Sequence, residues 1–162
     1  MKKKFDNNFI FKIIAVIITF TGLFYVIDLC KPGKISIIKD ISKSLPHKLY
    51  VGYFGDFKIR EGDIVLLKHP SIRGYLIKKI TGMKGDRINI LDDKICINDK
   101  QIGSILKRKL NKDEMVTPIN TRHIETGYYF VCGTHEESFD SRYEEFGLIR
   151  KDDIKALLWP IF

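Results

Sequence analysis

The sequence predicts a mainly β protein: an antiparallel barrel-like or sandwiched β domain behind a single N-terminal transmembrane helix. Three observations lead there. An almost unbroken apolar run fills residues 9–29. A Pro32–Gly33 step breaks it off. From residue 49 onward, short apolar or alternating runs recur between turns rich in glycine, proline and aspartate, as consecutive antiparallel strands require.

The first eight residues, MKKKFDNN, are basic and favour a cytoplasmic N-terminus. Residues 9–29 then supply the roughly 20 apolar positions a helix needs to cross a bilayer. Lys12 and Asp28 interrupt that run near its opposite ends, where each side chain reaches the interface. A cleaved secretory signal has a shorter apolar core and a small-x-small site, and VIDLCKPGK offers none. Lipid modification of Cys30 is disfavoured too, since Asp28 and Leu29 stand where small residues are wanted. The run is therefore an uncleaved single-pass anchor in the cytoplasmic (inner) membrane. Residues 30–40 follow as a juxtamembrane linker, and residues 41–162 form a periplasmic or otherwise extracytoplasmic domain.

Within that domain LYVGYF (49–54) is aromatic and β-branched, and GDIVLLKHP (62–70) runs from a Gly-Asp turn to Pro70. GYLIKKITG (74–82) is bounded by glycines. DRINILDDKICINDKQIG (86–103) alternates isoleucine with polar residues around two polar turns and predicts consecutive hairpins. GYYFVCG (127–133) is a further apolar run. Residues 104–126 carry no clear period and predict an excursion or loop.

Composition narrows the function. A chain of 162 residues holds one domain with a real core plus an anchor. The net charge of +8 comes from lysines scattered along the chain, with no arginine-rich helix or aromatic-interleaved basic patch, which argues against nucleic-acid binding. No nucleotide, flavin or metal motif is present, so no cofactor is expected. Three cysteines, Cys30, Cys96 and Cys132, match no metal spacing. A Cys96–Cys132 disulfide and two buried thiols remain alternative readings.

The candidate chemistry starts at ISKSLPHKLY (41–50). Pro46 fixes its own φ and restricts Leu45, so Ser44 sits in rigid extended or turn geometry, a setting suited to a nucleophile. Its base is a histidine or a lysine. Among His47, His69, His123 and His135, the last is best placed for a Ser–His–acid site, near Glu136, Glu137 and Asp140. The alternative is the Lys78–Lys79 pair. Side chains alternate along a strand, so one lysine faces solvent while the other is pressed against apolar neighbours. Burial disfavours the ammonium, and a neutral lysine can take a proton from a serine hydroxyl. Two solvated lysines on an edge strand are the competing structural reading.

Three stretches, in order, resemble the serine–lysine signal peptidases. SKSLP resembles their nucleophile box, YLIKKITGMKGD their lysine box, and SFDSRYEEFGLIRKDDI (138–154) their closing box. The resemblance implies a β domain of the signal peptidase type with Ser44 as nucleophile and Lys78, eight residues before Asp86, as base. It implies an oxyanion hole from the Ser44 N–H and the Ser42 hydroxyl, Ser138 as the hydroxyl orienting Lys78, and an Asp140–Arg142 ion pair in support. Asp140 is read as either catalytic or structural. The implied partner is an exported precursor, bound as an added β-strand. SLPHKLY further resembles the S-L-P-x-x-L-Y of the TraF-type branch, which matures the pilin of conjugative transfer systems by cleavage and in some systems cyclisation. A general type I signal peptidase is the alternative enzyme. An inactive β-domain assembly module of a secretion apparatus is the alternative outside enzymes.

Overall fold

The computed structural model describes residues 11–21, 33–42, 44–106 and 115–161. It divides into two compact units, residues 1–33 and 34–162. In the first, residues 11–21 are helical, and Phe11, Ile13, Ile14, Val16, Ile17, Ile18 and Phe20 are all exposed. The Thr19 and Thr21 hydroxyls donate back to the carbonyls of Ala15 and Ile17 at 2.7 and 2.8 Å, which satisfies them within the helix. Among the described residues no helix is long and apolar enough to cross a membrane. Residues 9–10 and 22–29 of the expected span lie outside the described residues, as do the basic residues 1–8 and Cys30.

The described part of the second unit is β. Its strands are β1 (Gly33–Lys39), β2 (Leu49–Gly55), β3 (Ile64–Leu67), β4 (Leu76–Gly82), β5 (Arg87–Leu91), β6 (Lys94–Ile97), β7 (Lys100–Ser104), β8 (Arg122–His123), β9 (Tyr128–Cys132), β10 (Ile149–Arg150) and β11 (Ile154–Pro160). Seven form one sheet in the order β1-β2-β11-β3-β4-β9-β10, and four form a second in the order β7-β6-β5-β8. Pairing is antiparallel from β2 through to β10, and throughout the smaller sheet. The two hairpins expected over residues 86–103 are β5–β6 and β6–β7. Asp92, Asp93 and Asn98 take positive φ at their turns, which aspartate and asparagine tolerate better than bulkier residues.

Three expectations need correction. Among the described residues no barrel closes: β1 and β10 end one sheet, β7 and β8 end the other, and each sheet stays open. The reach of the sheets explains this, since β8 and β10 are two residues long and carry too few ladder bonds to bring the edges together. Second, the stretch expected as linker is strand from Gly33 to Lys39. As an edge strand it leaves Ile35 and Ile37 exposed and lacks a clean buried face, so its alternation gave little signal. Third, the excursion expected over residues 104–126 begins inside β7, and residues 115–126, irregular apart from β8, are packed into the body. Val116, Ile119 and Ile124 are buried, and β8 pairs with β5. Residues 107–114 lie outside the described residues.

The apolar residues form three clusters. Val65, Leu67, Ile80, Val131, Ile149 and Ile154 make one, and Leu45, Tyr50, Leu66, Ile77, Ala156 and Leu158 a second. Ile88, Ile95 and Ile97 of the small sheet meet Phe130 and Cys132 of β9 in the third, which joins the sheets. Adjacent residues of β3 and β4 feed different clusters, as the two-residue period of a strand buried on both faces requires. Tyr143 ties the segment after β9 to this body. It is fully buried, and its hydroxyl donates to the Leu106 carbonyl and accepts from the Leu106 N–H, both at 3.2 Å. Tyr143→Phe leaves both backbone groups without that partner and is expected to lower stability by about 1–3 kcal/mol, read by denaturant unfolding.

Candidate active site

Ser44 lies in the turn between β1 and β2, where the chain doubles back and the Asp40 N–H donates to the Lys48 carbonyl at 2.9 Å. Leu45 anchors that turn in the second cluster. The Ser44 carbonyl accepts from the Thr134 N–H at 2.8 Å and the His135 N–H at 3.3 Å. Its N–H donates to Ser42 Oγ at 3.2 Å. Ser42 is held in turn, its N–H donating to Asp40 Oδ1 at 2.7 Å and its carbonyl accepting from Lys48 Nζ. The two expected oxyanion donors are therefore adjacent, and the first is engaged with the oxygen of the second.

Lys78 sits on β4, opposite Val65 of β3, and is 2% exposed, whereas neighbouring Lys79 is exposed. This is the split that strand alternation requires. Lys78 Nζ lies 2.9 Å from Ser44 Oγ and 2.6 Å from Ser138 Oγ, and the two hydroxyls are 3.4 Å apart. Burial lowers the Lys78 pKa below its ordinary value. Arg142 acts in the same direction, while Asp140 opposes it.

The third segment follows β9. Arg142 Nε and Nη2 donate to Asp140 Oδ1 and Oδ2 at 2.8 and 3.0 Å, a bidentate pair with both side chains buried. Arg142 Nη2 also donates to the Ser138 carbonyl at 2.9 Å and the His135 carbonyl at 3.2 Å, and Nη1 to Ser104 at 3.1 Å. Asp140 Oδ2 accepts from the Gly133 N–H at 2.9 Å. Although burial alone would lower it, the Arg142 pKa is raised by the bonds and charge of Asp140. The pair thus ties the ends of residues 133–142 together and fixes Ser138 against Lys78.

His135, the best histidine of the sequence, takes no base role in this geometry. Its ring is exposed, and Nδ1 accepts from the Glu137 N–H at 3.2 Å. What it offers Ser44 is a backbone N–H. Cys96 and Cys132 are free thiols; Cys132 is buried, and burial raises its pKa. Among the described residues no group of three or more acidic, histidine or cysteine side chains is placed to hold a metal.

Sequence reasoning missed two participants. A Cβ on Gly133 would stand 2.3 Å from Ser138 Oγ and 2.8 Å from the Ser44 carbonyl, so only glycine fits between them. The glycine closing GYYFVCG was the available signal. Asp40, the other, fixes Ser42 and lines a groove of about 520 Å³ beside Ser44. That groove is lined by residues 37–42 on one side, by Tyr75, Leu76 and Ile77 on another, and by Phe54 and Leu66.

Comparison with known proteins gives one family. A family model described as signal peptidase, peptidase S26, matches residues 9–159. Signal peptidase I P of Bacillus subtilis subsp. natto is 31% identical over 120 residues, covering 70% of this chain and 63% of that protein. Signal peptidase I V of Bacillus subtilis strain 168 is 32% identical over 111 residues, 62% of this chain and 64% of that one. The match to signal peptidase I U of the same strain is longer: 30% identity over 152 residues, 90% of this chain and 79% of the relative. The chain thus spans less than two thirds of the first two relatives. A crystal structure of a signal peptidase I from Enterococcus faecalis V583 is 26% identical, with a TM-score of 0.45, covering 64% of this chain and 98% of that one.

The close approach at Gly133 is testable. Gly133→Ala displaces either Ser138 or the Ser44 carbonyl by an ångström scale, and kcat/KM of any reaction at Ser44 is expected to fall about 100-fold. Unchanged kinetics in that variant would show that the site tolerates the displacement.

Proposed function

The chain belongs to the signal peptidase family, peptidase S26, and from that premise we propose that it is a membrane-anchored general signal peptidase cutting leader segments from exported precursors. Members of that family are serine endopeptidases of the serine–lysine type. The observation that carries the reading is the 2.9 Å approach of a buried amine to Ser44 Oγ.

In this mechanism Ser44 Oγ attacks the scissile carbonyl carbon while neutral Lys78 Nζ takes the hydroxyl proton. The carbonyl oxygen becomes an oxyanion, which takes over the Ser44 N–H from Ser42 and accepts the Ser42 hydroxyl as a second donor. One such donor is worth about 2.7–4 kcal/mol in the transition state. The C–N bond then breaks, Lys78 gives its proton to the departing amine, and the acyl group stays on Ser44. Water then attacks the ester carbonyl while Lys78 takes its proton; the C–Oγ bond breaks, Lys78 returns that proton to Ser44 Oγ, and the new carboxyl end of the substrate departs. Ser138 orients Lys78 through their 2.6 Å bond, and Asp140 and Arg142 serve by holding Ser138 in place.

The substrate binds as an added strand in the groove between residues 37–42 and 75–77, which leads to Ser44. An anchor over residues 9–29 sets the enzyme at the membrane surface, with residues 1–8 inside the cell and 41–162 outside. The helix of residues 11–21 supports this, since beyond Lys12 at its start it exposes apolar side chains and two threonines whose hydroxyls are satisfied within the helix. An inactive assembly module fits less well. Burying an amine away from water is costly, and only the dyad gives Lys78 a reason to be there.

General processing is favoured by the relatives, which are signal peptidases I. One feature favours a second reading: Ser44-Leu45-Pro46 followed by Leu49-Tyr50, the pattern of TraF-type pilin peptidases. There the acyl-enzyme is released by water or by the substrate's own N-terminal amine.

The test uses the full chain in detergent with a secretory precursor and a conjugative pilin precursor, product masses being read. Lys78→Met is expected to lower kcat/KM about 10²–10⁴-fold, Ser44→Ala to abolish cleavage and Lys79→Met to change little. Full activity in Lys78→Met removes the dyad. Loss only in Lys79→Met moves the base by one residue, and cleavage of the pilin precursor alone selects the second reading.

A further inference from the structure

Asp40 is 6% exposed, and only one of its carboxyl oxygens is accounted for. Oδ1 accepts from the Ser42 N–H at 2.7 Å, while buried Oδ2 has no hydrogen-bond partner among the described residues. A buried acceptor without a donor is unfavourable, and native proteins rarely keep one unless something else supplies the donor. Asp40 is among the residues that line the groove running to Ser44, four residues further on. The rest of that lining is largely apolar, with Ile37, Ile38, Ile41, Leu66 and Ile77. An acceptor set in an apolar groove matches a small side chain that is itself part apolar and carries one donor. Serine and threonine have that form: a hydroxyl to give and, in threonine, a methyl to bury.

We propose that Asp40 is a specificity-determining residue, whose free carboxyl oxygen accepts a hydrogen bond from a serine or threonine hydroxyl of the precursor, within three residues before the scissile bond. The inference rests on the peptidase reading and adds to it a substrate preference. A groove that offers a buried acceptor discriminates against a substrate lacking the donor, because that substrate leaves the oxygen unpaired. The same groove lined only by isoleucine and leucine would rank alanine and valine above serine.

The experiment measures kcat/KM of the full chain in detergent on a precursor panel. Each of the three residues before the cleaved bond is in turn alanine, valine, serine or threonine. At one of these positions serine or threonine is expected to exceed alanine by about tenfold or more. Asp40→Asn keeps the acceptor for the Ser42 N–H and replaces the other oxygen by an NH₂ donor. The substrate hydroxyl can then only accept from that NH₂, a neutral bond in place of the charge-assisted one, so the ratio of serine to alanine substrates is expected to fall several-fold. A merely structural Asp40 would scale every substrate together and leave the ratio alone.

Equal processing of alanine and serine precursors by the unaltered enzyme overturns the inference and leaves the peptidase intact. So does a preference that Asp40→Asn leaves undiminished. Should Asp40→Asn fail to fold, the ranking shown by the unaltered enzyme decides. Cleavage of no precursor at all overturns the peptidase reading, and this inference with it.

Discussion

Everything in this site depends on keeping one amine dry. Lys78 is placed by β4, in the interior of the seven-stranded sheet, with its nitrogen between the hydroxyls of Ser44 and Ser138. A charged ammonium there would forgo most of its hydration, and two neutral hydroxyls repay little of it. That cost lowers the Lys78 pKa, and a proton released from it would leave a lone pair beside Ser44 Oγ. In the proposed mechanism, the same burial that makes Lys78 a poor contributor to stability is what suits it to act as the base. Lys79 on the opposite face keeps its water and shows what the alternation separates.

The three segments that meet at this nitrogen are held by different means. Strand pairing with β3 and β9 fixes Lys78. Ser44 is fixed through its backbone, by Thr134 and His135 at its carbonyl and by the anchoring of Leu45 in the core. Ser138 depends on Arg142, which reaches the carbonyls of residues 104, 135 and 138 while paired with Asp140. Removing either member of that pair would leave the other as an uncompensated buried charge, at a cost of about 3–5 kcal/mol. The Asp140 oxygens accept from Arg142 and the Gly133 N–H. Gly133 completes the arrangement by leaving room where the other two segments touch.

Strands that bury alternate residues against a core, such as β2 and β4, were legible in the sequence, as were the hairpins punctuated by Asp92-Asp93 and Asn98-Asp99. The C-terminal strand β11 was not. It inserts between β2 and β3, and although its burial alternates from Ile154 to Leu158, Leu157 and Trp159 put apolar residues on the other face too, so IKALLWP shows no clean apolar–polar alternation. The edge strand β1 was hidden for the opposite reason, with Ile35 and Ile37 facing out and only Ile38 packed inward. The residues singled out around the site, Ser44, Lys78, Ser138, Asp140 and Arg142, come together because three motif segments carry them. Their roles in catalysis remain a proposal. Gly133 and Asp40 escaped notice because their importance comes from what they touch. The contact between Ser44 and Thr134 spans 90 residues, and no local pattern announces it.

Under the proposed mechanism Lys78 acts as a neutral base at a pH where an ordinary lysine is charged. The most direct test is the pH dependence of Ser44 acylation by a penem-type acylating inhibitor. Only the deprotonated amine accepts the serine proton, so the rate should rise with pH through the Lys78 pKa and level off above it. Burial sets that inflection below the ordinary lysine value of 10.5, and Lys78→Met should abolish it. A rate that is flat with pH, or one still climbing at 10.5 and beyond, would contradict the account.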